Sequence, residues 1–230
     1  MTVIVLEPNE SSNAENETAV DGELDVPRRN AFGHDFRDFE KESMRNAIVQ
    51  ECYRKNHIYQ TCEFANKKKE EYGKLNKAEM SIWECCELLK DYVDESDPDL
   101  DEPQIDHLLQ TAEAIRRHHP HEHWLHLTAL IHDLGKVLLH PAFGEEPQWC
   151  AVVFQGKSGL SEPSIQHQAM HRHGAYTFLM NDEDKEMLKW LQVFNKYDLY
   201  SKSKVKINQE EVKPYYLSLI KKYFPEKLKW

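Results

Sequence analysis

Apolar side chains recur every three or four residues along much of the chain from Phe36 onward, which is the spacing of one face of an α-helix. The pattern is clear over 80–93, where Ser81 and Glu84 have the spacing of a capping box at a helix start. No run shows the sustained alternation of apolar and polar residues that is typical of a strand. The sequence therefore predicts an all-α fold, with further helices over 103–117, 122–134, 182–202 and 209–223.

Several residues mark the ends and the buried faces of these helices. Pro103 lies in a predicted first turn, where its missing N–H group is tolerated. Gly135 suits the left-handed position just past the end of the helix over 122–134. The last predicted helix turns one apolar stripe toward the core, formed by Val212, Tyr216, Leu219 and Tyr223.

Two stretches lack the helical pattern. Residues 1–30 are rich in acidic residues, Asn and Ser and poor in large apolar side chains, so they bury too little surface to offset the entropy of ordering. We predict a disordered acidic tail there. The second stretch, at about 154–170, contains Gly and Pro with little periodicity and predicts a loop. The remainder, 31–230, is expected to form one helical domain.

Composition excludes several classes of partner. The net charge is -11, from 40 acidic and 29 basic residues, which would repel the phosphate backbone of nucleic acid. No apolar run approaches the ~18 residues that a membrane-spanning helix needs. The cysteines are odd in number and form no C-x-x-C pair, so reduced thiols are expected. We expect a cytoplasmic monomer with five free cysteines: Cys52, Cys62, Cys85, Cys86 and Cys150.

The segment WLHLTALIHDLGK, residues 124–136, places an ionisable pair at the end of a predicted helix. His132 lies on the buried stripe of that helix, and Asp133 follows it. At the C-terminal end of a helix the macrodipole makes an uncompensated carboxylate unfavourable by ~0.3 to 1 kcal/mol, so Lys136 or a metal ion is expected nearby. A lone buried histidine is more typical of a hydrogen-bonded core residue, and a metal site therefore depends on further ligands.

Two other helices offer ligands of the same kind. His107 lies on a face with small neighbours, and Asp198 of FNKYDLY points inward from an apolar face. Buried carboxylates without partners are costly, so a metal is the simplest joint explanation for these residues with His132 and Asp133. Two imidazoles and two carboxylates without a thiolate favour iron or manganese over a structural zinc. The order H…HD…D resembles the HD-domain superfamily, whose helical bundle assembles four such ligands from separate helices.

Longer motifs carry a more specific resemblance. VDESDPDLD, HLLQTAEAIR, WLHLTALIHDLGK, FNKYDLYSKS and KPYYLSLIKKYFPEKLKW together resemble the myo-inositol oxygenase family, with wording closest to its plant members. The resemblance implies an HD-domain-like helical bundle and a non-haem di-iron centre, which uses O2 to cleave the ring of myo-inositol to D-glucuronate. It also implies a place in inositol catabolism and in L-ascorbate biosynthesis.

The resemblance further implies four iron ligands, with Asp133 bridging two ions: His107, His132, Asp133 and Asp198. The family phrases that supply two more histidines are absent from this chain, which runs instead through FQGKSGLSEPSIQHQA. The domain is therefore expected to be internally truncated, keeping the ligands of one iron and lacking the histidines exclusive to the second. In and beside the replaced segment, three histidines are predicted to be surface residues: His167, His171 and His173.

The resemblance assigns the substrate contacts as well. Lys136 would contact a substrate hydroxyl and, together with the metal, lower the pKa of that hydroxyl. Arg37 and the stretch Asp94-Glu95-Ser96 would hold other hydroxyls of the neutral polyol. Taken without the resemblance, Arg37 is typical of a surface charge, DESDPDLD of a polar loop, and Lys136 of compensation at a helix end.

Two other functions remain open at this point. HDLGK after an upstream histidine also resembles HD-type metal-dependent phosphohydrolases, which should gather basic residues near the metal to bind phosphate. Alternatively, the truncated chain is a non-catalytic variant that binds metal or a longer relative. In that case added iron should still raise the thermal midpoint of a preformed site.

Overall fold

The computed structural model describes residues 24–59, 61–143 and 181–230. These ranges are mostly helical, which confirms the predicted all-α fold. They contain α1 (Met44–Tyr59), α2 (Cys62–Gly73), α3 (Ile82–Leu88), α4 (Gln104–His118), α5 (His123–Ile131), α6 (Asp182–Tyr200) and α7 (Gln209–Tyr223). Short 3-10 turns at Leu89–Asp91 and Leu134–Leu139 follow α3 and α5, and β1 (Glu79–Met80) pairs antiparallel with β2 (Leu228–Lys229).

Helix α4 lies at the centre of the fold. Its ends suit a helix, because Pro103 precedes it, Asp106 lies in the first turn, and basic side chains fill the last turn, where they oppose the macrodipole. It packs against α5, α6 and the 3-10 turn after α3, and most of its residues are buried. The core draws on α3 to α7 and on both 3-10 turns, with fully buried side chains that include Cys86, Leu89, Leu108, Leu109, Ile115, Leu130 and Tyr216.

The helix boundaries mostly follow the prediction. The capping box is present at α3, where Ser81 and Glu84 exchange side-chain and backbone hydrogen bonds, but the α-helix ends at Leu88 and continues as a 3-10 turn. In α7 the predicted stripe is buried except for Tyr223, which is 47% exposed. That part of the prediction is wrong because Tyr223 is the last residue of the helix, whereas Ile220, one turn earlier, packs into the core.

The chain after α5 differs from the prediction in a way that matters for the site. Helix α5 ends at Ile131, and Gly135 lies inside the following 3-10 turn rather than in the left-handed region. The left-handed prediction is therefore wrong. In the tighter turn the Lys136 N–H donates to the Asp133 carbonyl oxygen over 2.9 Å, which brings the Lys136 side chain back over the Asp133 carboxylate.

The small sheet was not expected, because strands of two residues are too short to show alternation. It joins the end of the described chain to the segment before α3. The Trp230 N–H donates to the Ala78 carbonyl oxygen over 2.9 Å, and the Lys77 N–H donates to the Trp230 carbonyl oxygen over 2.8 Å. The sheet therefore fastens the residues after α7 beside the start of α3.

The loop that contains the DESDPDLD motif is held from two sides. The Arg45 guanidinium donates to the carbonyl oxygens of Asp94, Asp97 and Leu100. On the other side, the fully buried Asp99 carboxylate accepts from the Asn30 side-chain amide over 3.1 Å and from the Arg37 N–H over 2.9 Å. These bonds fix the backbone from which Asp94 projects.

Some predictions fall outside the described residues. Residues 1–23 of the predicted tail lie there, and so do the replaced loop, Cys150 and the three loop histidines, so these stay predictions. Residues 24–30 of the predicted tail are described, and Asn30 at its end is buried and donates to the Asp99 carboxylate. In the described ranges, Cys52, Cys62, Cys85 and Cys86 form no disulfide. In the same ranges no helix combines the length and the apolar character needed to cross a membrane.

We predict that Arg45→Ala lowers the free energy of unfolding by about 2 to 3 kcal/mol, because part-buried carbonyl groups lose a charged donor. Arg45→Lys should recover only part of the lost free energy of unfolding, because one ammonium cannot reach the same carbonyl groups as the several N–H donors of a planar guanidinium. Urea denaturation followed by circular dichroism measures both variants. A loss below about 0.5 kcal/mol for Arg45→Ala would show that the loop does not depend on this side chain.

Candidate metal centre

Three helical segments bring four potential ligands to one point. His107 comes from α4, His132 and Asp133 follow α5, and Asp198 comes from α6. The His107 and His132 Nε2 atoms lie 3.0 and 3.4 Å from Asp198 Oδ1, and 3.9 and 3.4 Å from Asp133 Oδ2. Two ligands bound at right angles about 2.1 Å from one ion lie about 3 Å apart, so these separations suit a shared cation. His107, His132 and Asp133 offer ligand atoms that all lie within 4.8 Å of one another, and Asp198 Oδ1 contacts both imidazoles, so the structure places the residues that the sequence singled out close together.

The hydrogen bond on the far side of the His132 ring determines what its near side can do. Nδ1 lies 2.7 Å from the Ala129 carbonyl oxygen, which only accepts, so Nδ1 carries the proton. In the neutral ring, Nε2 then presents a lone pair toward two carboxylates and finds no donor opposite it among the described residues, whereas in the protonated ring it donates toward Asp198 Oδ1, 3.4 Å away. A backbone carbonyl that orients the distant nitrogen is a common arrangement for metal-binding histidines.

A second buried histidine provides the contrast. His126 is fully buried, with Nδ1 2.6 Å from the Tyr215 hydroxyl and Nε2 2.8 Å from the His119 carbonyl oxygen. Both of its nitrogens are satisfied, as expected for a structural core histidine. The interpretation of a buried histidine as a hydrogen-bonded core residue therefore applies to His126 and does not account for His132.

Charge interactions set the pKa values within the cluster. Burial alone would raise the pKa of both carboxyls, but Lys136 and His132 lower the pKa of Asp133, and the two imidazoles lower the pKa of Asp198. Burial lowers the pKa of His107, whereas at His132 the neighbouring carboxylates outweigh burial and raise the pKa. The cluster therefore attracts positive charge to its centre, either as a proton on His132 or as a metal ion.

Lys136 forms a buried link between the cluster and the DESDPDLD loop. Its Nζ lies 2.7 Å from Asp133 Oδ2 and 2.6 Å from Asp94 Oδ2. Burial would lower the pKa of this ammonium, but the two carboxylates raise it well above its usual value, so Lys136 is a permanent hydrogen-bond donor. The other Asp94 oxygen accepts from the Ser96 N–H and hydroxyl. Lys136, Asp94 and Ser96 thus form one connected group beside the ligands.

The remaining predicted substrate contacts differ in position: Glu95 lies beside α1, whereas Arg37 is near enough to Asp198 for that carboxylate, with Asp97 and Asp99, to outweigh burial and raise the pKa of Arg37. Glu95 is exposed and lines a cavity of about 320 Å³ beside α1, together with Glu51, Cys52 and Lys55. The Arg37 side chain is about one-third exposed, and its guanidinium lies 3.9 Å from Asp99 Oδ2. Contacts of Glu95 and Arg37 with a substrate stay predictions.

Sequence reasoning missed two polar features of the site. The Gln104 side chain contacts both Asp133 and Lys136. The Lys202 ammonium forms a buried ion pair with Asp97 Oδ2 over 2.6 Å. A signal existed for Lys202, which lies four residues after Asp198 and thus one helical turn further on. Gln104 gave no comparable signal, because a glutamine at a helix start is ordinary.

Comparison with known proteins decides the family. The sequence model described as myo-inositol oxygenase matches residues 46–157 and 166–230. The chain belongs to the myo-inositol oxygenase family. It is 47% identical to inositol oxygenase 1 of Arabidopsis thaliana, over 98% of this chain and 94% of that protein. It is also 48% identical to the probable inositol oxygenase of Oryza sativa subsp. japonica over 93% and 91% of the two chains, and 32% identical to the inositol oxygenase of Mus musculus over 83% and 92%.

The alignment with inositol oxygenase 1 of Arabidopsis thaliana is longer than this chain. It extends over 294 positions, more than the 230 residues of the chain, so it includes positions at which this chain has no residue. The family match is also interrupted between residues 157 and 166. The interruption lies within the segment at about 154–170 where the sequence departs from the family wording.

We predict that His132→Ala weakens Fe(II) binding at least 10-fold, because the unpartnered Nε2 is lost from the ligand set. His126→Gln is the control, since His126 is more deeply buried than His132 and has both nitrogens satisfied within the protein. Anaerobic isothermal titration of each variant, after circular dichroism confirms folding, measures the affinity. Equal Fe(II) affinity in wild type and His132→Ala would exclude this cluster as the metal site.

Proposed function

We propose that this protein is an inositol oxygenase that uses O2 to cleave the ring of myo-inositol, giving D-glucuronate at a non-haem iron centre. The observation that carries the proposal is the unpartnered His132 Nε2, which faces two carboxylates and a second imidazole in a chain of this family. The names of the relatives at 47 to 50% identity support the same reaction and substrate.

We propose one iron, bound by His107, His132, Asp133 and Asp198. Two imidazoles and two carboxylates suit iron in a site without thiolate ligands, and all four donors converge in the described residues. The family phrases that carry two further histidines do not occur in this sequence. When bound, the iron supplies O2 chemistry and polarises a coordinated substrate hydroxyl.

Lys136 and Asp94 have the chemistry to orient a neutral polyol. An ammonium held protonated by two carboxylates donates to a substrate hydroxyl oxygen and lowers the pKa of that hydroxyl, whereas a carboxylate accepts from one. Opposite charges placed on neighbouring side chains can therefore bind adjacent hydroxyl groups of one ring. We propose that Lys136 is the catalytic residue of this pair.

The charge balance of the site disfavours the phosphohydrolase alternative. Among the described residues, the cations near the cluster already face carboxylates: Lys136 faces Asp94 and Asp133, and Lys202 faces Asp97. Arg37 lies beside the buried Asp99. A phosphate would meet an acidic surrounding instead of free cations. A neutral polyol carries no such penalty.

We also propose a cytoplasmic monomer that acts in inositol catabolism, with glucuronate available for L-ascorbate biosynthesis. The excess of acidic residues supports a protein without a nucleic-acid partner. The unpaired cysteines among the described residues are compatible with a reducing compartment. Size-exclusion chromatography with light scattering tests the oligomeric state directly.

The proposed reaction predicts that protein loaded anaerobically with Fe(II) and then given myo-inositol and O2 forms D-glucuronate, with one O2 consumed per product. Chromatography of the product and an oxygen electrode measure the two quantities. A panel of nucleotides, incubated with the same preparation, should remain intact. Nucleotide hydrolysis without glucuronate would replace the oxygenase with the phosphohydrolase.

Lys136→Met is expected to lower the rate of glucuronate formation about 100-fold or more, because the substrate hydroxyl loses its ammonium donor. Lys213→Met is the control, since Lys213 pairs with Glu87 away from the cluster. Steady-state rates normalised to bound iron separate this effect from poor loading. A Lys136→Met rate within threefold of wild type would remove the catalytic role.

A further inference from the structure

Gln104 occupies a position that links the proposed ligands to the proposed catalytic lysine. It is the first residue of α4, three residues before His107, and it is only 3% exposed. Its backbone N–H donates to the Tyr92 carbonyl oxygen over 2.8 Å, which fixes the start of the helix against the segment after α3. The backbone from which the Gln104 side chain projects is therefore fixed.

The two ends of the Gln104 amide face opposite charges. Nε2 donates to Asp133 Oδ2 over 3.0 Å, and Oε1 accepts from Lys136 Nζ over 3.4 Å. An amide donates to a carboxylate with one end and accepts from an ammonium with the other, so its orientation is determined by its neighbours. A glutamate here would place a second negative charge against Asp133, and an apolar residue would satisfy neither neighbour.

The same amide completes the surroundings of the lysine. An ammonium has three hydrogens, and Lys136 Nζ has three acceptors: Asp94, Asp133 and Gln104. The contact with Gln104 is the longest of the three and joins the ammonium to a neutral oxygen. It is therefore the contact that a substrate hydroxyl replaces most easily, while the two ionic contacts persist.

We propose that Gln104 is a positioning residue, which fixes the Asp133 carboxylate for metal binding and keeps the third hydrogen of Lys136 available for the substrate. The first part rests on the proposed metal centre, and the second on the proposed oxygenase function. Asp133 Oδ2 accepts both the amide and the ammonium, so loss of the amide leaves this carboxylate tethered on one side only. Residues that orient a metal ligand typically change the metal affinity by about 10- to 100-fold.

Gln104→Met tests the proposal, because methionine has nearly the same length and no comparable hydrogen bonds. Mn(II) is the probe, with free ion measured by electron paramagnetic resonance, so no oxidation intervenes. We expect Mn(II) affinity to fall at least 10-fold, with the KM for myo-inositol raised in the iron-loaded enzyme. Gln104→Asn, which keeps the amide but is one methylene shorter, should weaken Mn(II) binding as well and serves if the methionine variant fails to fold.

Gln110→Met is the matched control. Gln110 lies on the same helix, is 5% exposed, and donates to the carbonyl oxygens of Ser203 and Val205 over 2.7 and 2.8 Å. It contacts none of the four ligands, so its loss should lower the free energy of unfolding while leaving Mn(II) affinity within about threefold. The pair of variants separates positioning of the ligand from stability of α4.

Each outcome has a definite meaning. Gln104 variants that bind Mn(II) like wild type, or a Gln110→Met variant that loses affinity equally, would reduce Gln104 to a structural residue and overturn the proposal. Wild-type protein that binds no Mn(II) would overturn the metal centre and this inference with it. Wild type that binds Mn(II), loses affinity in Gln104→Met and forms no glucuronate would remove only the proposed activity.

Discussion

The site depends on a histidine lone pair that meets no hydrogen-bond donor among the described residues. The His132 ring is oriented by the Ala129 carbonyl oxygen, so its other nitrogen points at Asp133 and Asp198 instead of at a donor. A buried lone pair facing two negative charges is unfavourable unless a proton or a metal ion lies between them. The fold brings these groups together from three segments, and the metal ion that we propose there would also join those segments.

The rest of the structure holds this unfavourable arrangement in place. Helix α4 carries His107 and is packed on several sides, whereas the 3-10 turn after α5 folds Lys136 back onto Asp133. Arg45 fixes the loop that presents Asp94 to the same ammonium. Rigid support of this kind is what a charged cluster needs, because small shifts of one ligand would leave a buried charge without its partner.

The sequence could predict what depends on periodicity and on residue type. Helical spacing indicated α4 and α7 almost to their ends, and the identities of His107, His132, Asp133 and Asp198 indicated the cluster before their distances were known. Contacts that depend on how distant segments align with one another could not be predicted from the sequence. Gln104 reaches Asp133 only because α4 begins where it does. Gly135 lies in a 3-10 turn that places the Lys136 ammonium against the Asp133 carboxylate.

The proposed single-ion centre draws only on parts of the chain that match the family. All four proposed ligands lie within the two matched portions, and so do Gln104, Lys136 and Asp94. Among the described residues, the proposed ligands and Lys136 compensate one another's charge. The proposed centre therefore needs no residue from the interruption of the family match. Iron stoichiometry and turnover are separate measurements, so the number of ions bound can be determined independently of the proposed activity.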